Sequence, residues 1–257
     1  MCWRCEPISI PCRPAGLREI LRVEPGHLSR HGSCPLSRLP HAEVVPRWRQ
    51  GEPLPQGSPL QGWFAPNITD DNSRGLGRWG SDDVVLYLKT GHNRIHAATG
   101  FIAEVVKLSS SQMTDIDLKA IATYLKSLTE ASDPPASLDA RDPRMLAEQA
   151  IYRDQCSACH GLDGHGIPHL FPSLAESSVV LAEDPATLVR IVLRGARSVA
   201  TAAEPTAPGM PSYGGQLANE QVSPVLTSIR NGWGAGASAV SSGVVASARS
   251  RLASRPD

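Results

Sequence analysis

Aromatic side chains are scarce in this chain, at 5 % of 257 residues, and there are only four methionines. A core so poor in rings needs apolar bulk from another source. Charge is not in excess of either sign, since 25 Lys and Arg balance 25 Asp and Glu, so nucleic-acid binding has no electrostatic support. No run approaches the roughly 18 consecutive apolar residues of a membrane-spanning helix. The opening residues also lack the continuous apolar stretch of a secretory signal: Pro7, Pro11 and Pro14 interrupt them, and they carry Arg4, Arg13 and Arg18. Residues 1–59 contain no Lys, Asp, Asn, Thr, Phe or Tyr but hold ten prolines and eight arginines. Their apolar positions follow neither the 3.6 nor the 2.0 period, so this stretch is expected to form no stable element.

From Trp63 onward the texture is that of a mostly α globular protein. Ser81-Asp82-Asp83 opens a helix carrying Val84, Val85, Leu86 and Leu88, and Gly91 ends it. Thr114 with Asp117 three residues on caps a second helix, along which Leu118, Ile121, Ala122, Leu125 and Leu128 recur at helical spacing. The prolines at 134, 135 and 143 mark residues 133–141 as a linker. Beyond it a helix is expected from Arg144 to Asp154. Asp184-Pro185 starts another, which bears Leu188, Ile191, Val192 and Leu193 and stops at Gly195. A last helix holds Val222, Val225, Leu226 and Ile229 up to Gly232; Pro224 within it predicts a late start or a kink. Residues 236–257 form a tail in which Val244, Ala248 and Leu252 lie at i, i+4 and i+8 with Arg249, Arg251 and Arg255 nearby. That pattern suits a frayed end or a thin interfacial helix at a membrane.

Six cysteines fall into two groups. Cys2, Cys5, Cys12 and Cys34 lie early, whereas Cys156-Ser157-Ala158-Cys159-His160 is the C-x-x-C-H pattern of covalent c-type haem attachment. Two thiols at this spacing can each form a thioether with a haem vinyl, and the adjacent imidazole is carried under the iron as proximal ligand. A methionine sulfur at the sixth position closes the iron to oxygen and makes an electron carrier. Of the four methionines, Met1 is the start, Met113 lies in the other unit and Met145 is on the helix leading into the motif; Met210 remains, 50 residues beyond His160 and bracketed by Pro208 and Pro211. Phe171 and Leu174 can cover the porphyrin face, while Gly161, Gly164 and Gly166 let the backbone pass its edge. Pro168 or Pro172 can offer the carbonyl that a ligating histidine needs. Arg190, Arg194 and Arg197 reach toward propionates or form the solvated face of their helix. His165 and His169 stand too close to the covalent anchor to cross to the opposite face and read as surface histidines.

Residues from about 60 to 235 resemble the cytochrome c subunit of membrane-bound alcohol, gluconate and related sugar dehydrogenases, in which three haem domains follow one another. The resemblance is carried by Trp63-Phe64-Ala65-Pro66-Asn67-Ile68-Thr69, Leu88-Lys89-Thr90-Gly91-His92-Asn93-Arg94, Ala103-Glu104-Val105-Val106, Ala120 to Leu128, Ile151-Tyr152-Arg153-Asp154-Gln155, and Ile229-Arg230-Asn231-Gly232-Trp233-Gly234. It implies an electron-relay subunit at the periplasmic face of the inner membrane, taking electrons from a quinoprotein or flavoprotein dehydrogenase subunit toward membrane ubiquinone. The implied architecture is a class I-like mono-haem cytochrome c domain at 142–235 preceded by a partial, haemless one at 60–132. In the family the middle domain has its own C-x-x-C-H upstream of Trp63 and a methionine before Ala103-Glu104-Val105-Val106. Here that place reads Gly100-Phe101-Ile102, and His92 and His96 lack a covalent anchor. A truncation or frameshift would account for the loss, since Leu36 to His41, if encoded as CTG TCA CGC CTG CCA CAC before a G, reads one base later as Cys-His-Ala-Cys-His-Thr; the alternative is a genuine disordered extension whose cysteines bind a metal.

Two other function classes compete with one covalent haem c bound by Cys156, Cys159, His160 and Met210. One is a haemless remnant or interaction module, which a chain left in the cytoplasm would be. The other is a thiol or zinc protein using the early cysteines. If the haem reading holds, residues 142–235 are expected to stand as a unit without the first 59.

Overall fold

The computed structural model describes residues 57–129, 137–139, 142 and 149–254. It begins with a hairpin, β1 (Gly57–Leu60) and β2 (Trp63–Pro66), paired antiparallel with Leu60 opposite Trp63. β1 thus takes in the last residues of the stretch read as structureless. The two-residue loop Gln61-Gly62 has φ of 46° and 84°, the left-handed pair that lets a tight hairpin turn match the strand twist. The N-terminal unit, Met1–Glu52, lies outside the described residues, as do the early cysteines and the 133–141 linker apart from residues 137–139.

The expected helices form where their caps lie. Helix α1 (Ser81–Thr90) starts with the Asp83 carboxylate accepting from the Gly80 N–H at 2.9 Å and ends at Gly91, φ 85°. A side chain at Gly91 would run into Val199, which is packed over it. After α2 (Phe101–Leu108) and a short 3₁₀ turn, α3 (Asp115–Ser127) begins at Thr114, whose hydroxyl accepts from the Asp117 N–H. Leu76, Trp79, Val84, Ile95 and Ala122 form a first core between α1 and α3.

A second, larger core is built by α4 (Gln149–Gln155), the single turn α5 (Ser157–His160), α6 (Ser178–Leu181), α7 (Ala186–Arg194), α8 (Asn219–Asn231) and α9 (Ser242–Ala253). A two-residue ladder, β3 (Ala196–Arg197) with β4 (Gly209–Met210), closes the loop after α7. The first residue of α7 is Ala186, one later than the Asp-Pro pattern suggests, and the Asp184 carboxylate accepts from its N–H at 2.8 Å. Pro224 neither delays α8 nor truncates it: the helix opens at Asn219. The Gln221 side chain accepts from the Ala218 N–H at that start.

Three features differ from the sequence reading. The tail is a docked helix: Val245, Ala248 and Leu252 of α9 are buried in the second core. Arg249 reinforces this by donating to Asn219 Oδ1 and to the Leu217 and Gly214 carbonyls. Arg230, which borders the apolar stripe of α8 and about whose burial the sequence reading says nothing, is wholly buried and donates to the carbonyls of Val180, Ala182 and Ser238 at 2.7 to 2.9 Å. Burial without a carboxylate partner is tolerated because these carbonyls replace water around the guanidinium. The hairpin is also tied to α7, where the Phe64 N–H donates to Thr187 Oγ1 at 2.7 Å and that hydroxyl donates back to the Phe64 carbonyl at 2.9 Å. Arg190 is buried there with its guanidinium 4.6 Å from the Trp63 ring centre, a cation–π contact and not a solvated face.

Candidate haem centre

The C-x-x-C-H residues follow directly from α4. The chain turns at Cys156, whose N–H donates to the Tyr152 carbonyl, and the one-turn helix α5 then carries Cys159 and His160. Two tyrosines brace this corner: Tyr152 Oη donates to the Gly161 carbonyl and Tyr213 Oη to the Gln155 carbonyl, each at 2.6 Å. His160 is buried, and its Nδ1 lies 2.9 Å from the Pro172 carbonyl. Between the two candidate prolines the fold selects Pro172. With Nδ1 engaged, Nε2 is the nitrogen left to coordinate. Burial lowers the imidazole pKa against an opposing contribution from the Pro172 bond, which keeps the ring in the neutral form a metal requires.

Cys156, Cys159, His160 and Met210 all line one cavity of about 1300 Å³, counting its open mouth. Met210 is delivered by the β3/β4 ladder opposite Ala196, and the loop leading to it is held by the Ser198 N–H and Oγ on the Pro208 carbonyl. The prolines of that loop are therefore only part of what positions the sulfur; strand pairing supplies the rest. Phe171 and Leu174 line the cavity as expected, with Leu188, Ile191 and Val192 of α7 and Leu226 and Ile229 of α8. Gly164 has another role than the one read from sequence: its φ is 70°, and a Cβ there would strike the Trp233 ring at 2.7 Å. Trp233 Nε1 in turn donates to the Leu162 carbonyl, closing the loop on itself.

Other residues singled out in the sequence lie elsewhere. His165 and His169 are exposed. The guanidinium groups of Arg194 and Arg197 donate to the carbonyls of Leu252 and Ala207. His92 is buried away from the cavity with neither ring nitrogen hydrogen-bonded, while His96, with Ala97 and Thr99, forms part of the cavity wall. This upstream contribution was not readable from the sequence.

The donor set fits a covalent haem. Two thiols, an imidazole with one engaged nitrogen and a thioether converge on an apolar hollow, the combination of soft sulfur and imidazole ligands that suits iron in a porphyrin. Among the described residues no group of three or more His, Cys, Asp or Glu could hold a metal ion. Burial, then the neighbouring Cys159, pushes the Cys156 thiol up to about 11, the opposite of a reactive redox thiolate. No helix among the described residues is long and apolar enough to cross a membrane.

Residues 143–227 match the family described as cytochrome c oxidase, cbb3-type, subunit III. The chain is 36 % identical over 193 residues to the cytochrome c subunit of alcohol dehydrogenase (quinone) from Gluconacetobacter polyoxogenes, covering 70 % of this chain and 41 % of that protein. It is 38 % identical over 192 residues to the gluconate 2-dehydrogenase cytochrome c subunit of Pantoea cypripedii, covering 71 % of this chain and 44 % of the relative. With the fructose dehydrogenase cytochrome subunit of Gluconobacter japonicus the identity is 29 % over 162 residues, 54 % of this chain and 33 % of the relative. The chain thus spans less than half the length of these curated relatives. It carries a cytochrome c domain and is a homologue of the cytochrome c subunits of alcohol, gluconate and fructose dehydrogenases.

Proposed function

We propose that this chain transfers electrons through one covalent haem c, bound by Cys156 and Cys159 with His160 and Met210 as axial ligands. The convergence of those four side chains on one apolar cavity carries this reading. A haem held there supplies a one-electron couple whose potential a thioether ligand raises. The protein's own contribution is positional. Cys156 and Cys159 fix the ring covalently, and Pro172 sets the plane and tautomer of His160. The β3/β4 ladder holds Met210, and Phe171, Leu188, Ile191 and Leu226 exclude water. Exclusion of water keeps the surroundings from reorganising when charge changes at the site.

In this reading residues 142–235 are the mono-haem domain, and residues 60–132 are a partial cytochrome c domain without a haem motif. The names of the relatives support a dehydrogenase partner; in this reading that partner is a quinoprotein or flavoprotein subunit, membrane ubiquinone is the downstream acceptor, and the periplasmic side is the place of work. Intact mass spectrometry on chain exported behind a suitable signal tests the reading, and replacing Met210 within the same experiment tests the ligand. We expect a mass gain of one haem that survives denaturation, and for M210A a site that binds carbon monoxide and has a lower potential. Two haems, or none with Cys156 and Cys159 open to alkylation, would overturn the attachment; an unchanged M210A spectrum would overturn the ligand.

A further inference from the structure

The carbonyl that accepts from His160 Nδ1 belongs to the peptide joining Pro172 to Ser173. The other end of that same peptide is also engaged: the Ser173 N–H donates to the Ile95 carbonyl at 2.8 Å. Ile95 comes from the upstream half of the protein, and its side chain is locked in the first core with Trp79, Val84 and Ala122. Its peptide is held as firmly. Asn93, 2 % exposed, accepts on Oδ1 from the Ile95 N–H at 2.8 Å and from the His96 N–H at 2.7 Å, and its Nδ2 donates to the Asp83 carbonyl. The loop from Gly91 to Ala98 is closed further by Asn93 N–H to the His96 carbonyl and Ala98 N–H to the Gly91 carbonyl.

We propose that this upstream loop tunes the electron-donating power of the proximal histidine, through the unbroken series Ile95 carbonyl, Ser173–Pro172 peptide, His160 Nδ1. The inference rests on the haem reading above. Engaging the N–H end of an amide shifts electron density toward its oxygen, and hydrogen bonds in series strengthen one another in a low-dielectric interior. The Pro172 oxygen therefore accepts more strongly from Nδ1–H than an unassisted carbonyl would. A more strongly held Nδ1 proton leaves a more basic Nε2. A more basic ligand favours the oxidised iron, so the loop lowers the reduction potential. Asn93 acts as a positioning residue, three hydrogen bonds removed from the ligand, and a haem domain read by itself would show no sign of it.

The test uses the full chain, matured with haem. N93A removes the acceptor that fixes the Ile95 peptide; N93S keeps a shorter oxygen able to accept from the same amides. For N93A we expect an unchanged low-spin spectrum and a raised midpoint potential, so that the oxidised-to-reduced ratio at a fixed applied potential falls several-fold. The His160 Nδ1–H proton resonance should move toward the value of a weaker hydrogen bond, with N93S lying between N93A and the parent. If N93A matures poorly, the parent and N93S comparison still decides, read together with the exchange rate of the Ser173 amide. An N93S or N93A protein whose Ser173 amide exchanges faster while potential and Nδ1–H resonance stay put would overturn the inference and leave the haem reading intact. A parent chain that takes up no covalent haem would overturn that reading, and this inference with it.

Discussion

His96 is held neutral by its position. It packs against the Trp79 ring, accepts from the Ser178 N–H and lines the cavity, and burial lowers its pKa to about 4. A histidine whose folded pKa lies below its unfolded value of about 6.5 contributes stability that is present above pH 6.5 and lost as pH falls toward 4. From pH 7 to pH 5 the expected loss through His96 is about 2 kcal/mol. His92, also buried, acts in the same direction. Chemical denaturation of the parent and of H96Q at both pH values separates the two: H96Q should lose less on acidification, and equal losses would show that His96 titrates normally. The site residues were the most legible part of the sequence, since Cys156, Cys159 and His160 are neighbours along the chain and their spacing is itself the signal. Met210 was reached by elimination among four methionines. Pro172 could not be separated from Pro168, because which carbonyl meets Nδ1 depends on how the loop after Gly161 folds back.

At the scale of elements, caps and periodicity located α1, α3 and α7 to within a residue or so, because a helix start is a local contest between backbone and side-chain hydrogen bonds. The same reasoning went astray for α9. Ala248 and Leu252 of its stripe are buried, but Val244 is exposed and Val245 beside it takes its place; a stripe also states only that a face is apolar and not what covers it. Here α7 and α8 cover it, and Val245, Ala248 and Leu252 face the second core. Ending the chain at Gly236 would remove this helix and the segment before it, and losing the burial of Ala237, Val240, Val245, Ala248 and Leu252 costs about 6 kcal/mol. The expected result is a lower denaturation midpoint with greater protease sensitivity, and no change in binding to anionic liposomes. Unaltered stability would show that α9 does not pack as described.

At the scale of the whole molecule, the candidate haem cavity is lined by both halves of the described chain. The wall formed by His96, Ala97 and Thr99 comes from upstream, and the connections between halves include the backbone bonds from Val199 N–H to the Ala98 carbonyl and from Ser173 N–H to the Ile95 carbonyl, besides the Thr187 hydroxyl on Phe64. Read from sequence, residues 142–235 were expected to stand alone. The structure leads to a different expectation for an excised segment running from Asp142 to Ser254, which keeps α9 but loses the upstream wall. It should still attach haem through Cys156 and Cys159, while its midpoint potential and its access to carbon monoxide differ from those of the full chain. Identical values in the two proteins would show that the upstream half is spectroscopically and electrochemically irrelevant.

What the sequence determined by itself is what can be written over a few consecutive turns: the attachment pentad, the helix caps, the stops at Gly91 and Gly195, and the family to which these point. Tertiary structure alone decided which surfaces meet. Arg230 is an ordinary surface residue until the carbonyls of Val180, Ala182 and Ser238 surround it, and Ile95 is an ordinary core residue until its carbonyl meets Ser173. Backbone carbonyls and amides are the same at every position, so a contact made through them over long sequence separation leaves no mark in residue type or period. Its location emerges only once packing has brought the two segments together.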